Sequence, residues 1–227
     1  MKRSAPINAK GQRDADLRKN FTPQQLEAIG AVTIAWNEAE IFLDIALEQG
    51  LCTPAETWLE VAPRMNGYEN KTKIIKKLLV TYAAELGQET CKMIESTLDA
   101  LTQCKGYRDA VAHARAFDVT HGIGELIKWK AKKEQVLLTV PALNGLFERL
   151  ILLRKELLFA AMIFDALRTL RLFHVPDRSL IEQSIQDHAV RLQDYQTKRR
   201  SLPPLPTFPP SLPTPLASEA SPAIDHP

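Results

Sequence analysis

The chain has 227 residues, a formal net charge of +2, 45% hydrophobic and 25% charged residues, the proportions of a globular protein and not of a disordered one. Nine of its fifteen prolines fall in residues 201–227, which leaves about 200 residues for a fold, enough for one sizeable core. The longest apolar run, residues 157–164, ends at Asp165, well short of the roughly 18 residues of a membrane span.

The basic start Met1-Lys2-Arg3 has no apolar stretch behind it, so no secretion signal is expected, and the reading is cytoplasmic with no membrane partner. Cys52, Cys91 and Cys104 are odd in number and form no CxxC, which argues against structural disulfides and cysteine-rich zinc sites. Charge is divided along the chain: residues 1–20 hold six Lys or Arg against two acids, residues 21–60 none against seven, and residues 101–200 seventeen against eleven. Such a split either offers one basic face to a polyanion or marks ordinary solvated helix faces.

Residues 1–20 read as a basic flexible arm. Thr22-Pro23-Gln24-Gln25 then supplies a capping hydroxyl, a proline at the first helical position and a glutamine three residues after the cap. A helix follows, with Val32, Trp36, Ala39, Leu43 and Ala46 on one face. Ile34, Ile41, Phe42 and Ile45 form a second apolar stripe that predicts broad burial, and Gly50 is the expected end. Thr53-Pro54-Ala55-Glu56 starts a short helix that Pro63 stops. Residues 70–86 give a third, with Ile75, Leu78, Leu79, Tyr82 and Leu86 inward and Gly87 behind it.

A fourth helix is predicted over residues 89–117, from Ile94, Leu98, Leu101, Cys104, Val111 and Ala114. Gly106 in its middle suggests a bend or close packing. Two β-prone runs, residues 123–130 and 135–140, flank a polar turn and read as a small hairpin. Pro141 opens the longest helix, where Leu143, Leu146, Leu150, Leu153, Leu157, Ala160, Phe164 and Leu167 recur at intervals of three and four. That seam is either the bundle's own core or a subunit interface, and its length of little over three heptads favours the core. Val175-Pro176 breaks the helix, an amphipathic piece over residues 177–195 precedes Lys198-Arg199-Arg200, and the proline-rich tail is expected to be an extended, disordered arm. The chain therefore divides into residues 1–20, a helical domain over 21–175, a C-terminal amphipathic helix over 176–200 and the tail over 201–227. The fold class is all-α: a four- to five-helix bundle with a β-hairpin insertion.

The chain contains no GxGxxG, Walker loop, GxSxG or HExxH, which removes most cofactor enzymes, and no cofactor is expected. The one concentrated polar constellation is Tyr107-Arg108-Asp109-Ala110-Val111-Ala112-His113-Ala114-Arg115. Asp109 and His113 are one helical turn apart, so the carboxylate can orient the imidazole. Arg108 and Arg115, seven apart, fall nearly on one line of a continuous helix. Arg108 and His113 are about 140° apart round the axis, so a single helix does not aim both at one atom, whereas two copies meeting across a twofold axis could. Guanidinium groups to hold a phosphate and imidazoles to move protons are what metal-free cleavage of an RNA backbone requires. A metal site from Asp109, His113, Asp118 and His121 falls short of a defined ligand set, and none is expected.

At these residues the sequence resembles the HEPN (higher eukaryotes and prokaryotes nucleotide-binding) family, all-helical domains whose signature is Arg, four to six residues, then His. Arg108 to His113 fits it, with Asp109 as a variant of the polar residue after Arg. Ala112-His113-Ala114 and Trp36-Asn37-Glu38-Ala39-Glu40 are also similar to segments of members, and the resemblance covers residues 21–173. Arg115 to His121 and Arg168 to His174 match the bare spacing too, but Arg115 is followed by Ala116 with its His beyond the expected helix end, and Arg168 is followed by Thr169 in the closing turns before Pro176. The resemblance implies a metal-independent endoribonuclease with a composite homodimeric site, of the kind used as toxins or in phage defence, or else a non-catalytic nucleotide, RNA or protein-binding module. On that reading Arg108, Asp109 and His113 are catalytic, Arg115 and Lys105 contact RNA, and a toxin role would bring a cognate antitoxin. The bland alternative is an Asp/His pair on a solvated helix face with Arg108 snorkelling.

Overall fold

In the computed structural model, residues 21–52, 65, 67–118, 123–127, 133–137, 139–173 and 177–205 are described, with the backbone alone over 113–118, 123–127 and 133–137. The short helix expected after Thr53, the N-terminal arm and the tail beyond residue 205 lie outside these residues.

The first helix, α1 (Pro23–Leu51), starts where the capping chemistry places it. The Thr22 hydroxyl accepts from the Gln25 N–H at 3.2 Å, and the Gln25 side chain accepts from the Thr22 N–H at 2.9 Å, a reciprocal capping box. Its end differs from the sequence reading. Gly50 lies within the helix, and the left-handed terminal residue is Cys52, at φ 53°. Gly50 serves close approach instead: a Cβ there would meet Leu78 Cδ1 at 3.0 Å and Phe164 Cδ1 at 3.3 Å, and its carbonyl accepts from the Tyr82 hydroxyl at 2.8 Å. Half of the second apolar stripe of α1 is a correction: Phe42 and Ile45 pack partly buried against the core, whereas Ile34 and Ile41 are 63% and 56% exposed. The core is filled by the first stripe, from Val32 through Trp36 to Ala46.

The third predicted helix is two: α2 (Tyr68–Thr81) and the single turn α3 (Ala83–Leu86), separated at Tyr82. Gly87, at φ 78°, then permits the turn into α4 (Gln88–His113). That helix ends four residues before the expected end, because Ala114 leaves helical geometry to pair with Leu126. Gly106 marks neither contact nor crowding, since a Cβ there would meet nothing within 4 Å. The backbone then pairs as an antiparallel sheet in the order β1 (Ala114–Asp118), β2 (Ile123–Ile127), β3 (Lys133–Leu137).

Thr139 caps the 33-residue α5 (Val140–Leu172), and Asp177 caps α6 (Arg178–Arg200). Helix α5 is central, packing along both α1 and α6 with α4 also against it. Every residue of the three-and-four seam is buried within the one chain, so the seam is core. It is not a surface on which a partner could dock. Each such leucine contributes about 1.5–3 kcal/mol through removal from water. Among the described residues the fold is all-α in its core, with six helices, and no helix is long and apolar enough to cross a membrane.

Helix α6 continues past Tyr195, where its apolar pattern stops, to the end of the 176–200 segment, because Gln196 and Arg199 continue its buried face after Ile185, Ala189 and Leu192. The first residues of the tail are not a detached arm. The Arg149 guanidinium donates to the carbonyls of Leu202 and Pro203, and Leu205 packs against the core.

Candidate functional site

Helix α4 turns Leu98, Leu101, Cys104 and Val111 into the core, which leaves Lys105, Arg108 and Asp109 at its rim, facing α1 and α2. The Arg108 guanidinium carbon sits 4.7 Å from the centroid of the Trp36 ring. Trp36 is fully buried, so this is a partly desolvated cation–π contact worth about 0.5–2 kcal/mol. Arg108 Nη1 donates to Asp109 Oδ1 at 2.9 Å, while its buried Nε has no hydrogen-bond partner among the described residues.

The other oxygen of Asp109 accepts from Lys105 Nζ at 2.8 Å, and that ammonium also reaches Glu69 Oε1 of α2 at 3.2 Å. The bond it donates to Asp109, and secondarily that to Glu69, holds the Lys105 ammonium above the ordinary lysine range against the opposing effect of burial. Behind it lies Tyr68, whose ring is 5.9 Å from Lys105 Nζ and 5.7 Å from Trp36. Burial pushes the Tyr68 phenol up to about 12, although the 2.8 Å hydrogen bond with Thr102 opposes it.

Three of the five predicted site residues, Lys105, Arg108 and Asp109, are therefore neighbours in one cluster. His113 is the last residue of α4, and the helix is continuous from Arg108 to it, which keeps His113 one turn beyond Asp109 along the backbone. Its side chain lies outside the described residues. Arg115 belongs to β1 instead of the helix, so the expectation that Arg108 and Arg115 line up on one helix face does not hold. The four-residue metal alternative falls largely outside the described side chains. Among the described residues no group of three or more His, Cys, Asp and Glu could hold a metal ion.

Two further features escaped the sequence reading. Glu156 of α5 is fully buried and accepts from Arg199 Nε at 2.7 Å, Arg199 Nη2 at 3.3 Å and the Thr97 hydroxyl at 2.9 Å. Gln196 adds a bond to the Thr97 hydroxyl at 3.0 Å and one to the Met93 carbonyl at 2.6 Å. Burial pushes the Glu156 carboxyl up, and the bonds from Arg199 and Thr97 pull it back. This network ties α4, α5 and α6 together. Beside it lies a cavity of about 650 Å³ bordered by Arg149, Arg199 and Arg200. The signal for the network was an acid, Glu156, inside the apolar seam, and basic residues at the end of α6 spaced to meet it.

No protein-family model matches the chain, and no curated protein or solved structure shows significant similarity to it.

Proposed function

We propose that the protein is a metal-independent endoribonuclease of HEPN type that cleaves RNA by acid–base catalysis in a composite homodimeric site. The observation that carries the reading is the placement of Arg108 and His113 on the uninterrupted last turns of α4, with the polar Asp109 directly after the arginine. Arg108 would hold the scissile phosphate, His113 would move the proton of the attacking 2′-hydroxyl or the leaving 5′-oxygen, and Asp109 would orient His113. Lys105 and Arg115 would contact the RNA backbone.

Exposed Ile34 and Ile41 of α1 support the dimer. Ile41 borders a surface groove with Phe42, Leu158 and the Glu38–Arg154 ion pair, an apolar centre with a charged rim that suits a second copy. The β-sheet segment after the motif and the proline-rich tail would be additions to the family pattern, and a toxin or phage-defence role would follow from indiscriminate cleavage.

A second reading, a non-catalytic binding module, is favoured by one specific observation: both Asp109 oxygens are already engaged, by Arg108 and by Lys105. On that reading the cluster pins α4 to α1 and α2. The two separate by experiment. In the nuclease, His113→Ala lowers cleavage about 10²-fold or more with RNA binding retained, and Arg108→Ala weakens binding and turnover together. In the module, RNA stays intact and Arg108→Ala lowers the unfolding midpoint.

A further inference from the structure

The three guanidiniums beside the buried Glu156 are not equivalent. Arg199 is spent on that carboxylate in a two-pronged bond, so the pair contributes little net charge to the cavity it borders. Arg149 and Arg200 make no ion pair among the described residues. Among those residues Arg149 donates only to the backbone carbonyls of Leu202 and Pro203, and its buried Nε makes no hydrogen bond. Arg200 makes a single 3.4 Å contact with the Ser96 hydroxyl. Among the described residues no carboxylate borders the cavity, whose wall there is completed by Ala100, Gln103, Cys104, Tyr107 and the apolar side chains of Leu202, Pro204 and Leu205.

About 650 Å³ lies within the usual range for small-molecule sites, which combine an apolar wall with a few convergent polar groups. Two unneutralised guanidiniums match a dianion, and a phosphate monoester carries close to two charges at neutral pH with three oxygens to share between two forks. A carboxylate satisfies only one. The chain segment 202–205 closes one side with apolar groups, which suits a ring attached to the anion. Cys104 is no nucleophile here, because burial pushes its thiol up to about 11.

We propose that this cavity binds a small organic phosphate bearing an apolar ring, the phosphate held by Arg149 and Arg200 and the ring against Tyr107 and Leu205. The cavity uses the face of α4 that carries Ala100, Gln103, Cys104 and Tyr107, about 140° round the helix from the Lys105, Arg108 and Asp109 cluster. It is thus independent of the nuclease reading.

The test is calorimetric titration of the full chain with phenyl phosphate, inorganic phosphate, benzoate and phenol. The expected result is saturable binding of phenyl phosphate, at least tenfold weaker binding of the other three, and a loss of tenfold or more in Arg200→Gln, an exposed position whose change leaves the fold intact. Arg149→Lys should lose affinity likewise, and Leu205→Ala should weaken phenyl phosphate while leaving inorganic phosphate unchanged. No saturable binding of phenyl phosphate up to 10 mM by folded protein (about the weakest affinity such contacts would give) overturns the proposal. So does equal affinity for benzoate, or affinity in Arg200→Gln equal to that of the wild type.

Discussion

Removing either partner of the Glu156–Arg199 pair should destabilise the bundle far more than removing both. Glu156 is 0% and Arg199 8% exposed, and Glu156 accepts three hydrogen bonds, two from the guanidinium and one from Thr97. Glu156→Leu leaves a buried guanidinium without its counter-charge and the Thr97 hydroxyl without this acceptor, a loss of about 3–5 kcal/mol. Arg199→Met strands the carboxylate and should cost a similar amount. A buried pair is itself expensive to desolvate, so the double variant, which fills the space with apolar groups, should cost less than either single change. With a urea dependence of about 2 kcal/mol per molar, each single variant moves the unfolding midpoint down by about 1.5–2.5 M. Circular dichroism in urea reads all four proteins of the cycle. Single variants within about 1 kcal/mol of wild type, or a double variant whose loss equals the sum of the singles, would refute the account of this network.

Gly50→Ala should lower stability by up to about 2 kcal/mol, seen as a lower thermal midpoint, because the added Cβ meets Leu78 and Phe164 at 3.0 and 3.3 Å and that overpacking outweighs a gain of about 1 kcal/mol in helix propensity. Tyr82→Phe, which deletes the bond to the Gly50 carbonyl, should cost about 1 kcal/mol by the same measurement. Native protein treated with a thiol reagent near pH 8 should label at the partly exposed Cys52, whereas buried Cys91 and Cys104, both with thiols pushed up by burial, should label only after denaturation. Alkaline titration follows from the same burial. Folding holds the Cys104 proton to about 11 while the unfolded thiol releases it near 9. The native state then binds more protons, and stability is lost as pH rises through that window, by up to about 2–3 kcal/mol. Urea midpoints measured from pH 8 to 11 should fall, and Cys104→Ala should flatten the decline.

The long helices were legible because their signals are local. Thr22 and Gln25 dictate a start by their own side-chain geometry, and the leucines of α5 announce one buried face by spacing alone. Features that depend on partners distant in sequence are not encoded locally. Gly50 looked like a terminator, yet its role is set by Phe164 and Tyr82, more than thirty residues away in sequence. Ile34 and Ile41 are apolar and periodic, but of their stripe the core takes only Phe42 and Ile45. The apolar pattern of α6 stops near Tyr195 because its last inward residues, Gln196 and Arg199, are polar, and the acid buried in α5 makes their inward position favourable. At the candidate site, the spacing of Arg108, Asp109 and His113 could be read from the chain, whereas the stacking of Arg108 on Trp36 and the competing claim of Lys105 on Asp109 could not, since both arise from packing between helices.

The proposed nuclease is tested most directly by incubating total RNA with purified wild type, Arg108→Ala and His113→Ala in the presence of a chelator. Cleavage by wild type that falls about 10²-fold or more in a folded His113→Ala variant is the result the reading requires. Intact RNA with wild type, or cleavage undiminished by loss of His113, would contradict it and leave the Arg108 cluster as a lock between helices.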